Sequence, residues 1–174
     1  MIAFVCGLSK SGKSSMIASL AKAMPNILHL KASEILSKAG RPLYGLSRLE
    51  ALENQRVFAE LARKEVERET RSILIDGHLL IETLDGPLLL PDDCLDDLKI
   101  DAILMITSSN NSIVARRQST PMEASLEEVA NAAELEARHA EALAKRRQTE
   151  LIRVPSGDLA GFQTAVEELV RNKK

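Results

Sequence analysis

Tryptophan is absent from the sequence, tyrosine occurs once and phenylalanine three times. So little aromatic surface argues against stacking platforms for single-stranded nucleic acid, and it leaves aliphatic side chains to build nearly the whole core. Cysteine is almost as scarce. Cys6 and Cys94 lie far apart, form no CxxC pair and have no metal-ligand spacing, so neither a disulfide nor a zinc site is supported. Cys6 sits in an apolar run, where a thiol behaves as a small buried hydrophobe. No apolar run approaches the roughly 20 residues of a membrane span, and the first is too short and lacks the basic leader of a signal peptide. Nor does one sign of charge dominate: a net charge of −2 gives no global field to recruit DNA, RNA or acidic lipid. The expectation is a cytoplasmic protein with no membrane partner and no strong sign of a nucleic-acid one, in which an anionic ligand needs a local site.

The 174 residues suit one domain with a real core. Short aliphatic runs at 2–6, 27–30, 72–76, 101–107 and 151–155 read as buried strands. Helical spacing fills the intervals at 13–23, 31–40, 46–70, 109–118, 125–147 and 158–171, with Gly40 a plausible helix stop. Residues 84–98 carry a Gly-Pro turn and a second proline, and read as loop. Strands alternating with helices imply βαβ units. The fold class expected is α/β: about five mainly parallel strands covered on both faces, a three-layer α/β/α arrangement. There is no repeat and no linker.

The strongest motif is Gly7-Leu8-Ser9-Lys10-Ser11-Gly12-Lys13-Ser14, a GxxxxGK[ST] octet between the first strand and the first helix. Glycines let the backbone turn so that its N–H groups converge on an anion, and the helix start adds its positive dipole end. Gly7, Ser9, Lys10, Ser11, Gly12, Lys13, Ser14 and the following Ser15 are therefore the candidate cradle for the phosphates of ATP. Lys13 reaches the β- and γ-phosphates, and the Ser14 hydroxyl ligates Mg²⁺. Ser9, Lys10 and Ser11 fill variable positions where the backbone matters most; Lys10 is either a second cation or solvated. Asp76 ends the third strand in ILIDGH. Ligands gather beyond the carboxyl ends of parallel strands, so Asp76 is the second candidate for Mg²⁺, or else a turn former before Gly77. His78 is open to substrate contact, proton transfer or simple packing.

Together these residues resemble a nucleoside monophosphate kinase, in particular the short archaeal-type adenylate kinases. The likeness takes in the octet, Gln55-Arg56 and Ala62-Arg63-Lys64 on one helix, ILIDGH, Gly86 to Pro91, DAILMI and Ala115-Arg116-Arg117. It implies an acceptor-binding helical flap at about 31–69 and a short lid at about 116–125. It also implies that Arg116, Arg117 and Arg138 act on the transferred phosphoryl group, whose developing charge cations from several segments must neutralise. Ser33, Arg41, Gln55 and His78 are the candidates for the acceptor side: Arg41 to pair with a monophosphate, Gln55 to read a base edge. After the arginine pair the chain reads Gln118-Ser119-Thr120-Pro121-Met122-Glu123, so the lid lacks further cations. The activity implied is γ-phosphoryl transfer from ATP to a nucleoside monophosphate. The alternatives are a kinase of another small metabolite or an RNA end, and an ATPase or nucleotide-dependent switch acting on a protein partner. No NKxD-like guanine motif occurs, which disfavours a GTPase.

Overall fold

Alternation along each strand divides the core in two. In the computed structural model, which describes residues 1–173, β1 (Ile2–Cys6), β2 (Ile27–Lys31), β3 (Ser72–Asp76), β6 (Ala102–Thr107) and β7 (Glu150–Pro155) form one sheet in the order β2-β3-β1-β6-β7. Every pairing in it is parallel. Ala3, Val5, Leu74, Leu104 and Ile106 point to one face, under α1 (Lys13–Ala23) and α6 (Leu159–Arg171), where Ile17, Leu20, Phe162 and Val166 cover them. Phe4, Cys6, Ile73, Ile75, Ile103 and Met105 point to the other, under Phe58 and Ala62 of α3 (Arg48–Arg68) and Ala140 and Leu143 of α5 (Leu126–Arg147). The result is the three-layer α/β/α fold anticipated from the alternation of strands and helices. Both cysteines are free, and among the described residues no helix is long and apolar enough to cross a membrane.

β1 lies at the centre, with its neighbours in register so that Val5 sits opposite Asp76. The loop leaving β1 and the acid ending β3 therefore emerge side by side at the carboxyl edge of the sheet. Residues 31–69 contain α2 (Ala32–Lys38) and α3, and residues 116–125 run from the end of α4 (Asn110–Arg117) to Ser125, the cap of α5. Both long helices begin with a capping box, Ser47 with Glu50 and Ser125 with Glu128, which satisfies donors that a helix start leaves unpaired.

The stretch 84–98, read as loop, is built differently. β4 (Leu80–Thr83) and β5 (Gly86–Leu89) pair as an antiparallel hairpin, followed by a 3-10 helix at Asp92–Leu98. Gly86 takes φ +97° at the exit of the two-residue turn, a backbone state that side chains disfavour. Pro87 is tolerated because a two-stranded ribbon has free edges on which a missing N–H costs nothing. Leu88 packs with Leu46 and Ala51 at the start of α3 in a small satellite core.

Candidate functional site

Gly7 leaves β1 at φ +136°, and a Cβ there would stand 2.5 Å from the Ile106 carbonyl oxygen. Lys10 at φ +69° and Gly12 at φ +102° complete a loop that turns back on itself. Its carbonyls are taken up by the protein's own donors. Lys13 Nζ donates to the carbonyls of Gly7 at 2.9 Å and Leu8 at 3.5 Å, and His78 Nδ1 lies 2.9 Å from the Gly7 oxygen. Arg117 donates to the Ser9 carbonyl through Nε and Nη2, both at 3.3 Å, and Arg116 to the Lys10 carbonyl at 3.0 Å. Gly12, the N-cap of α1, offers no side-chain cap, so the first N–H groups of that helix remain for an external acceptor. The Ser11 hydroxyl is buried without a partner. An uncapped helix start, an orphaned hydroxyl and a buried ammonium are together suited to a phosphate group. Burial lowers the Lys13 pKa, against the opposing pull of Asp76 and Glu136.

Asp76 is buried, and its carboxylate lies 3.2 Å from His29 Nε2 on β2. Burial alone would raise its pKa; the His29 hydrogen bond, the Lys13 charge and the Ser14 hydroxyl outweigh that and hold it below the usual carboxylate range. The neutral Ser14 hydroxyl and the Asp76 carboxylate are thus adjacent, and the carboxylate stays ionised to lower pH than an ordinary one. Among the described residues no cluster of three or more His, Cys, Asp or Glu could hold a metal ion. Ser14 and Asp76 are the residues that would hold a Mg²⁺ ion, whose hard oxygen preference they fit. His78 is pushed down to about 3, chiefly by burial and then by the Lys13 charge, so it is neutral at physiological pH.

The loop faces a cleft of about 1280 Å3, larger than the roughly 300–1,000 Å3 of a typical single-ligand pocket. One end is lined by Lys10, Gly12, Lys13, Ser14, Arg116 and Ser156; the other by Ser33, Leu36, Asn54, Gln55, Phe58 and Ile81. Ser156, on the turn after β7, packs so close to the loop that a Cβ on Gly12 would meet its hydroxyl at 2.7 Å. A recess of about 460 Å3 between Ser109, Arg116 and Ser156 continues that end.

The candidate residues read from the sequence divide accordingly. Residues 7–15, Asp76, His78, Arg116, Ser33 and Gln55 lie on or around the cleft. Arg117 is fully buried beneath the loop and paired with Glu82 at 2.7 Å. Arg41 does not line the cleft; its Nη2 lies 3.0 Å from Glu53 and its Nε 2.7 Å from Oδ1 of Asn54, which does. Arg138 is not brought to the site: its side chain is 72% exposed and pairs with Glu134 one turn away. The residue of α5 that does reach the loop is Glu136, absent from the sequence reading. It is wholly buried, and one oxygen accepts the N–H groups of Gly7 at 3.2 Å and Leu79 at 3.0 Å. Its signal was its register, a lone acid in the buried stripe Val129, Ala132, Ala140 and Leu143. His29 and Ser156 were also missed, and neither belongs to a motif.

A family model described as an AAA domain matches residues 6–136, from the start of the loop to Glu136. No curated protein matches the chain. Among solved structures, the shikimate kinase from Acinetobacter baumannii, in complex with shikimate, aligns with TM-score 0.67 at 13% identity over 99% of this chain and 94% of its own. The shikimate kinase from Aquifex aeolicus aligns with TM-score 0.57 at 15% identity over 97% of each chain. A gluconokinase from Sinorhizobium meliloti aligns with TM-score 0.55 at 16% identity over 97% of this chain and 91% of its own. At these identities the likeness is one of fold, that of the small P-loop kinases. No comparison singles out the archaeal-type adenylate kinases.

Proposed function

Because the chain belongs to the AAA domain family, its loop region lying within the matched residues 6–136, we propose that it is an ATP-dependent phosphotransferase acting on a small acceptor. One observation carries this reading. The carbonyls of residues 7–10 are tied back to Lys13, Arg116, Arg117 and His78, which leaves the loop's cationic and N–H-bearing side to the cleft. The triphosphate lies on residues 7–15, with Lys13 and Arg116 beside the γ-phosphoryl group and the base in the recess by Ser156. Ser14 and Asp76 would hold Mg²⁺, which would withdraw charge from the phosphate oxygens. Arg117 acts at one remove, fixing the Ser9 carbonyl. Residues 116–125 serve as lid and 31–69 as flap. Phosphoryl transfer asks mainly for positioning and electrostatic stabilisation, and the size of the cleft supports two ligands end to end.

For the acceptor, a nucleoside monophosphate held by Ser33, Gln55 and Arg41 is the class that the sequence resemblance implies. There Arg41 is already engaged by Glu53 and Asn54. That arrangement of Arg41 favours the second reading, a small molecule other than a nucleotide. The test of the enzyme class is ADP release from ATP and Mg²⁺ in the presence of an acceptor panel. Turnover should appear with one acceptor class and fall by about 10²–10³-fold in Lys13→Ala, the size of effect seen when one transition-state donor is removed. ADP release that needs no acceptor and rises with added cell extract would instead mark an ATPase serving a macromolecular partner.

A further inference from the structure

Charge is distributed unequally along the cleft. At the loop end Lys10, Lys13 and Arg116 line the cavity with no carboxylate salt bridge among the described residues. At the flap end each charge is already matched: Arg41 with Glu53 at 3.0 Å, Lys31 with Glu34 at 3.5 Å, and Glu82 with Arg117 at 2.7 Å. Asn54, buried beside them, is engaged at both amide atoms, its Oδ1 accepting from Arg41 and its Nδ2 donating to the Pro42 carbonyl at 2.7 Å. Phe4, Leu36, Phe58, Leu80 and Ile81 supply an apolar wall beside them. Two neutral polar groups there, the Ser33 hydroxyl and the Gln55 amide, have no hydrogen-bond partner among the described residues.

An anionic group held at this end, away from the reacting group, would be desolvated against an apolar wall whose cations, Arg41 and Lys31, are already paired with carboxylates, and burying an uncompensated charge is costly. A neutral molecule meets no such penalty. Resting on the donor-site reading above, we infer that the acceptor is an uncharged compound with an apolar ring or chain and at least one free hydroxyl. Its body lies on Phe58, Leu36 and Ile81, its polar edge is read by Gln55 and Ser33, and its reacting hydroxyl points toward Lys13. In the step, the hydroxyl oxygen forms a bond to the γ-phosphorus while the bond from that phosphorus to the β–γ bridging oxygen breaks. ADP departs with the electron pair, and the hydroxyl proton passes to water.

The experiment gives the full chain Mg²⁺ and ATP with matched pairs of acceptors. Adenosine, cytidine and thymidine are set against their 5′-monophosphates, and neutral aryl glycosides against the corresponding uronic acids. ADP release and the phosphorylated product by mass are followed, with ATP binding measured separately by calorimetry. The expected result is kcat/KM at least tenfold higher for the neutral member of an accepted pair. Gln55→Leu should raise KM for that acceptor about tenfold with kcat within a factor of two and ATP binding unchanged. The inference is overturned if no neutral member exceeds its anionic counterpart while ATP still binds. Absence of ATP binding overturns the donor-site reading itself, and this inference with it.

Discussion

Glu136 places a carboxyl group where no solvent reaches it, one oxygen shared by two backbone N–H groups and the other without a partner. Burial raises its pKa above the ordinary 4.5, against the pull of Lys13 and the hydrogen bonds from Leu79 and Gly7. Between the ordinary and the raised value the folded protein holds more protons than the unfolded chain, so this group's contribution to stability falls as pH rises through that window. Glu136→Gln keeps an accepting oxygen and removes the titration. Its melting temperature relative to the parent should therefore climb as pH rises above the ordinary carboxyl value of 4.5, which thermal denaturation at several pH values will check. Glu136→Ala orphans both N–H groups and should cost about 1–3 kcal/mol for each. Gly7 is constrained differently. With φ +136° and a backbone oxygen 2.5 Å from any Cβ, Gly7→Ala must displace the loop. It should cost on the order of 1–3 kcal/mol of backbone strain and abolish nucleotide binding by calorimetry.

At the scale of elements, α5 shows what the sequence made legible and what it hid. Its extent, read as about 125–147 from its helical character, matches the observed Leu126–Arg147 closely. Which charged residue it turned toward the loop was a matter of register. Arg138 lies two positions beyond Glu136, about 200° around a helix, so a chain that buries one exposes the other. Counting from Val129 and Ala132 would have selected Glu136. The hairpin was concealed for another reason: Gly86-Pro87 signals a loop in isolation, and only the burial of Leu80, Leu88 and Leu90 identifies strands. For α3, the capping box at Ser47 satisfies a helix start that also frames the flap end of the cleft. Ser47→Ala should lower unfolding free energy by about 1 kcal/mol, read by urea titration, and should leave ATP affinity unaltered because Ser47 touches nothing at the loop end.

For the whole molecule, the strand order was not written in any motif, yet the aliphatic runs and intervening helices restricted it to a parallel sheet with ligands at one edge. The octet and Asp76 were legible because their chemistry is local. Ser156 and His29 were not, since they join the site only when β7 and β2 take their places in the sheet. If two ligands occupy the cleft, ATP with Mg²⁺ should raise the melting temperature by mass action, and an accepted acceptor should raise it further. The hairpin gives that second shift a physical route. Its turn is fastened to the start of α3, within the proposed flap, where the Leu84 N–H donates to the Leu46 carbonyl at 2.8 Å and Asp85 accepts from the Arg48 N–H at 2.7 Å. On its other side Glu82 grips Arg117, which in turn holds the Ser9 carbonyl. Flap and phosphate loop thus share a short chain of bonds, and sharing has a thermodynamic corollary. Whatever factor the acceptor applies to the dissociation constant of ATP, ATP must apply to that of the acceptor. Breaking the chain at Glu82 should draw that common factor toward one from both directions.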